Sequence, residues 1–75
     1  MQRYANKSGH SGVVAYAIGD EAITVKFSGG ERYEYTSGSA GATHLARMQA
    51  LAREGRGLST YISQHVRERF ARKLD

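Results

Sequence analysis

Cysteine, proline and tryptophan are all missing from this sequence. Without cysteine, the chain has no disulfide framework of the kind that stabilises small secreted domains, no thiolate zinc ligand and no thiol nucleophile. The ten N-terminal residues are too polar for a signal peptide, and no apolar run approaches the ~20 residues that span a bilayer. We therefore expect a cytoplasmic protein that is neither exported nor bound to a membrane.

Charge is distributed unevenly along the 75 residues, whose net charge is +4. Residues 1–40 contain four cations and four carboxylates, whereas residues 41–75 contain seven cations, six of them arginine, and three carboxylates. Arginine is suited to phosphate binding and to stacking on bases, so the C-terminal half is the candidate for contact with nucleic acid. A solvated helical surface would have a similar composition.

Three short segments have the pattern of β-strands. Residues 13–18 form an apolar run, with Tyr16 in register with Val14 and Ile18, and residues 22–27 alternate apolar and polar side chains. Alternation returns in residues 31–36, after a Ser-Gly-Gly turn typical of a tight hairpin. The sequence therefore predicts a three-stranded antiparallel meander with one apolar face.

Two helices are predicted after the strands. In the first, from about Ala42 to Glu54, apolar residues recur at helical spacing, and Gly55 follows as a C-cap. The second begins near Ser59, and apolar residues recur every four positions at Ile62, Val66, Phe70 and Leu74.

The predicted fold class is α+β, with three strands followed by two helices that cover one face of the sheet (β-β-β-α-α). We expect strands in the first half only, with no helix within residues 22–36 and no strand within residues 60–74. Residues 1–11 are polar, contain glycine and serine, and are predicted to be a flexible N-terminal segment, in which Tyr4 has no assigned packing site. Residues 12–75 are predicted to form the single domain.

Several short motifs, taken together, resemble the KTSC family, a small bacterial domain also found at the C-terminus of some lysyl-tRNA synthetases. They are the stretch Ser8–Ser11 leading into Val14 and Tyr16, the strand Ile23–Phe27 with Gly29 and Gly30, the Tyr-x-Tyr signature at Tyr33 and Tyr35, and the glycine-containing turn Gly55–Ile62. The sequence departs from the family at Leu58 and Ser59, where an aromatic residue and an asparagine are common. The resemblance implies a small bacterial or phage-type domain of undefined function, for which RNA binding has been proposed.

The residues that catalysis or metal binding would need do not occur in suitable combinations. His10, His44 and His65 are the only histidines, and no two of them are four residues apart. There is no Gly-x-Ser-x-Gly motif, and no pair of carboxylates is placed for acid–base work. We expect no catalytic residues, no metal and no cofactor, and hence a protein that is not an enzyme.

A stripe along the predicted second helix is the candidate surface for binding RNA of a tRNA-like or otherwise structured kind. Tyr61, His65, Arg69 and Arg72 follow one another at i, i+4, i+8 and i+11, so aromatic rings could stack on bases while arginines hold phosphates. The candidate nucleic-acid-binding residues are Tyr61, His65, Arg69, Arg72, Lys73 and Arg56. The alternative is that Tyr61 completes the core and Arg72 pairs with Glu68.

Two further alternatives stay open at this point. Tyr33 and Tyr35 could form a platform for bases, but they share the apolar face of the predicted sheet, which favours core packing. The chain could also be a protein-interaction module or a homodimer that uses a sheet edge, since an edge strand has unpaired backbone groups.

Overall fold

A five-stranded antiparallel sheet, packed against helices on one face, forms the α+β fold of the computed structural model, which describes residues 1–7, 9 and 11–74. The strands follow chain order across the sheet: β1 (Gln2–Arg3), β2 (Val13–Gly19), β3 (Ala22–Phe27), β4 (Arg32–Thr36) and β5 (Arg72–Lys73). The helices are α1 (Ser37–Ala40), α2 (Ala42–Glu54) and α3 (Leu58–Tyr61), which continues as a π-helical segment (Ile62–Val66).

The central meander β2–β3–β4 agrees with the sequence prediction. Ile23 and Val25 on β3 are fully buried, and Tyr35 on β4 is 2% exposed. The turn between β3 and β4 places Gly30 at φ +97°, a conformation that glycine adopts without strain. Period-two alternation therefore placed β3, β4 and their buried face correctly.

Strand β2 differs from its prediction at Val14, which the sequence placed in register with Tyr16 and Ile18, on the same side of the strand. The pairing between β2 and β3 shifts between Val13 and Ala15, so an extra residue is inserted into β2. Val13 is fully buried as a result, whereas Val14 is 39% exposed. The assignment of Val14 was wrong because a bulge interrupts the alternation.

Helix α2 has the bounds that its apolar spacing predicted. Its buried residues are Leu45, Met48, Leu51 and Ala52. The helix ends at Gly55, whose left-handed backbone (φ 78°) lets its N–H donate to the Leu51 carbonyl. The short helix α1 before it was not predicted; Thr36 caps it through reciprocal hydrogen bonds with Ser39.

The second predicted helix is shorter than expected, and the prediction that residues 60–74 contain no strand was wrong. The backbone N–H of Arg67 donates to the Ile62 carbonyl at 2.6 Å, and Arg67 then leaves the helix with φ 42°. After the turn, β5 pairs with β4. The edge of β4 has backbone N–H and C=O groups that would stay unpaired if the helix continued. The hydrogen bonds that these groups make with β5 outweigh the burial that the four-residue apolar spacing would give a longer helix.

The N-terminal residues complete the other edge of the sheet. Strand β1 pairs with β2, and the Tyr4 backbone N–H continues this pairing by donating to Val14 at 3.0 Å. Tyr4 is 3% exposed and its hydroxyl accepts a hydrogen bond from the Leu58 backbone N–H. The flexibility of residues 1–11 stays a prediction, and Ser8 and His10 lie outside the described residues. Tyr4, however, belongs to the core.

The helices cover only one face of this sheet. Helix α2 packs against β3 and β4 on the face that holds Ile23, Val25 and Tyr35. Side chains that alternate with these point away from the helices. Among the described residues, no helix is long and apolar enough to cross a membrane.

Candidate nucleic-acid interface

The predicted stripe of Tyr61, His65, Arg69 and Arg72 does not form one helical surface. Tyr61 ends α3 and His65 lies in the π-helical segment, but the helical backbone ends before Arg69. Arg69 is exposed in the following turn, and Arg72 lies on strand β5. The helical arrangement was therefore wrong, whereas the binding role of these residues stays a prediction.

Tyr61 and His65 lie together, and His44 from α2 joins them. The Tyr61 and His65 rings are 4.3 Å apart between centroids, and the His44 and His65 rings are 5.5 Å apart. His44 Nδ1 and the Tyr61 hydroxyl are hydrogen-bonded at 2.6 Å. Tyr61 is half-buried, so it contributes in part to the core, which was the alternative to RNA binding for this residue. Sequence spacing gave no sign of this contact, because His44 and Tyr61 are 17 residues apart.

This ring cluster supplies too few ligands for a metal centre of the usual kind. In the described part of the chain, no group of three or more histidine, cysteine or acidic side chains is placed to hold a metal ion. His44 and His65 provide two imidazoles, and His10 lies outside the described residues.

Arg72, Lys73 and Arg56 lie apart from the ring cluster. Arg72 Nε donates to a Glu34 carboxylate oxygen at 2.8 Å across β4 and β5, so its partner is Glu34 and not Glu68. The Lys73 ammonium lies 5.8 Å from the centre of the Tyr33 ring. Arg56 is exposed in the turn between α2 and α3, two residues after the end of α2.

Tyr33 and Tyr35 pack with other side chains, as their place on the apolar face predicted. The half-buried Tyr33 ring contacts Phe27 and Phe70, with centroid distances of 5.8 and 4.7 Å. Tyr35 is buried, and its hydroxyl donates to the Arg67 carbonyl at 3.2 Å. These two rings hold the turn after the π-helical segment against the sheet and do not form an open platform for bases.

Burial, and secondarily the nearby Tyr33, raises the pKa of Tyr35 from 10.0 to about 12. The unfolded chain therefore loses this proton near pH 10 while the folded chain retains it, so the free energy of unfolding should fall as the pH rises from 10 towards 12. Denaturant titrations across this interval should show a smaller decline in a Tyr35→Phe variant, which has no proton to release there. Equal declines in the two proteins would contradict the assignment.

The uncovered face of the sheet carries a row of cations that the sequence analysis did not identify. Strand register places four residues in line across β1 to β4: Arg3, Ala15, Lys26 and Arg32. They alternate with the buried residues of their strands and so face away from the helices. A parallel row contains Ala17, Thr24, Glu34 and Arg72.

These two rows give the open face a positive charge and a flat centre. Four cations and the single carboxylate of Glu34 leave a formal net charge of +3 across the eight residues. Arg3 and Lys26 have no ion pair or hydrogen bond from their side chains within the described residues. Between the cations lie the small side chains of Ala15, Ala17 and Thr24, which leave room for a ligand to approach the sheet.

Part of this face could be anticipated from the sequence. Alternation places Lys26 and Arg32 opposite the apolar residues of their strands. Arg3 could not be placed, because its position depends on pairing between β1 and β2 across a loop with no alternating pattern.

No family model, no curated protein and no solved structure matches the chain. The resemblance to the KTSC family therefore stays a prediction.

Proposed function

We propose that this protein is a non-enzymatic nucleic-acid-binding domain that contacts the sugar–phosphate backbone of RNA with the open face of its sheet. One observation carries the proposal: the register that aligns Arg3, Lys26 and Arg32 across four strands. The overall charge of +4 and the KTSC resemblance point in the same direction.

The spacing of these cations suits a polyanion better than a single small anion. Neighbouring strands are about 4.8 Å apart, so the backbone positions of Arg3 and Arg32 are separated by three intervals, or about 14 Å. Long side chains on a rigid sheet extend this reach further. A row of this length can contact successive phosphates on one strand of nucleic acid, and phosphate neutralisation supplies most of the affinity of sequence-independent binding.

The side chains between the cations favour backbone contact over base stacking. Single-strand binding sheets usually present aromatic rings to the bases. Here the corresponding positions hold Ala15, Ala17 and Thr24, while Tyr33 and Tyr35 are on the other face. Binding through this face should therefore depend weakly on base sequence.

The proposed interface lies on the sheet and not on the predicted C-terminal helix. Arg72 remains part of it, since it lies on the open face beside Glu34. Tyr61 and His65 belong to the helical layer, on the other side of the sheet from the cation row.

The sheet edges are poorly suited to the alternative, a protein partner or second copy that adds a strand. Each edge strand, β1 and β5, has only two residues, and the two together hold Arg3, Arg72 and Lys73. Short, charged edge strands discourage strand addition. The open face is a better candidate interface than either edge.

An Arg3→Ala/Lys26→Ala variant tests the proposal. Its binding to a short single-stranded RNA is titrated at a series of salt concentrations and measured by fluorescence anisotropy. We expect weaker binding at every salt concentration. The slope of log K against log salt should become shallower by about 1.4, since each lost phosphate contact removes about 0.7 for a single strand.

The matched control is an Arg47→Ala/Arg53→Ala variant, which removes the same charge from exposed positions on α2. It should retain the slope of the wild type. Equal losses in both double variants would mean that net charge alone drives binding, and absence of binding by the wild type at low salt would refute the function itself.

A further inference from the structure

A pocket adjoins the cation row where β1 leaves the sheet. It has a volume of about 370 Å³ and is lined by Arg3, Tyr4, Ala5, Asn6, Val13 and Val14. This volume lies within the 300–1,000 Å³ range of small-molecule sites. Arg3 belongs to both the row and the pocket, so a ligand on the row could extend into the pocket.

We propose that this pocket binds one unpaired nucleobase of the RNA whose phosphates lie on the open face. The inference rests on the proposed function and specifies its ligand: a strand with at least one unstacked, unpaired base. The sequence offered no sign of such a site, because the pocket forms only when β1 pairs with β2.

The apolar side of the pocket comes from the bulge in β2. The extra residue turns Val13 into the core and leaves Val14 at the surface, 39% exposed, against the pocket. An exposed valine beside a cavity gives the face of a base an apolar surface to contact. Burying that surface removes apolar area from water on both partners.

Asn6 supplies the polar side. It adopts a left-handed backbone (φ 53°), which asparagine tolerates better than most residues. Its side-chain oxygen accepts a hydrogen bond from the Ser11 backbone N–H at 3.0 Å. Because that N–H can only donate, the oxygen of the Asn6 amide faces Ser11, and the NH₂ group of the same amide faces away from Ser11.

The NH₂ group of Asn6 has no hydrogen-bond partner among the described residues. It is held in place by the bond that its oxygen makes, and it can donate to a carbonyl oxygen or ring nitrogen on a base edge. Base edges in a duplex are occupied by pairing, so this donor favours an unpaired nucleotide.

Two ligands of different size test the pocket without any substitution. In ¹⁵N–¹H NMR titrations, uridine monophosphate should shift the backbone signals of Asn6 and Val14, and inorganic phosphate at the same concentration should leave them in place. If phosphate reproduces the shifts, the pocket recognises only the anion and the proposal is wrong.

Two variants then test the pocket in RNA binding, with oligouridylate and an RNA duplex of equal length as probes. Asn6→Asp keeps the oxygen that bonds Ser11 but removes the NH₂ donor, and Val14→Ala reduces the apolar wall at an exposed position. Each should weaken oligouridylate binding by about two- to tenfold, the effect of one uncharged hydrogen bond or a few buried carbon atoms. Duplex binding should be unchanged in Val14→Ala.

Gln64→Glu is the charge control for Asn6→Asp, since it makes the same change in charge at an exposed position in the helical layer. It should bind oligouridylate nearly as the wild type does. If wild type binds RNA and both pocket variants bind equally well, the pocket proposal fails and the proposed function stands. If wild type binds neither probe, both fail.

Discussion

Replacing Tyr4 by alanine is expected to lower the free energy of unfolding by about 3–5 kcal/mol, the usual cost of truncating a buried aromatic residue. A domain of 75 residues has only about 4–11 kcal/mol in total, at 0.05–0.15 kcal/mol per residue. Tyr4 is 3% exposed, and its hydroxyl accepts a hydrogen bond from the Leu58 backbone N–H at the start of α3. The variant should therefore lose between about a quarter and all of the stability of the domain. Urea denaturation followed by circular dichroism measures the loss.

A Tyr4→Phe variant separates the ring from its hydroxyl. It keeps the ring in the core but leaves the Leu58 N–H unpaired, at a cost of about 1–3 kcal/mol. We expect it to lie between the wild type and Tyr4→Ala. A loss below about 1 kcal/mol in Tyr4→Ala would show that the N-terminal segment does not contribute to the core in solution.

Replacing Gly55 by alanine is expected to cost about 2–5 kcal/mol. Its left-handed backbone (φ 78°) accounts for about 1–2 kcal/mol of this. The added Cβ would also collide with the side chain of Ala5 and lie 3.4 Å from its Cα. Ala5 cannot move easily, because Tyr4 is buried and the Lys7 backbone N–H donates to the Gly55 carbonyl at 2.7 Å. Forcing extra atoms into such a contact costs about 1–3 kcal/mol more.

Gly57→Ala is the matched control for this prediction. Gly57 has almost the same backbone angle, φ 79°, but the atom nearest to its added Cβ is in the Leu51 side chain, at 3.7 Å. The Gly57→Ala variant should lose only about 1–2 kcal/mol of unfolding free energy, from the left-handed backbone alone. Thermal denaturation of both variants gives the comparison. Equal losses would mean that the contact between Gly55 and Ala5 does not constrain the fold.

The elements that could be predicted are those whose signal is local. Ile23 and Val25 alternate with polar neighbours within one strand, and Leu45 and Met48 recur at the spacing of a single helix. Each pattern reports which side of its own element is buried, and the structure confirms both. Gly55 after α2 is a local signal too, because the left-handed residue that ends a helix is most often glycine.

The elements that could not be predicted depend on residues far apart in sequence. Phe70 and Leu74 continue the four-residue spacing of Ile62 and Val66, so the sequence favours a longer helix. The outcome is decided instead by β4, whose free edge pairs with residues near Arg72. The bulge at Val14 has a similar origin, since it is defined only by pairing with β3.

The candidate interface follows the same division. Lys26 and Arg32 could be assigned to one face of the sheet, but their alignment with Arg3 required the pairing of β1 with β2. Helical spacing grouped Tyr61 correctly with His65, and incorrectly with Arg69 and Arg72, because the helix ends at Arg67.

The two-residue strand β1 also has a consequence for the solubility of the protein. Strand β2, which it borders, has seven residues without a charge, and the whole chain lacks proline. Uncharged, proline-free segments rich in valine, isoleucine and tyrosine are prone to form amyloid-like cross-β assemblies when their edge is exposed. We therefore expect Arg3 and β1 to protect this edge, and we expect proteolysis between β1 and β2 to increase aggregation by exposing the edge of β2.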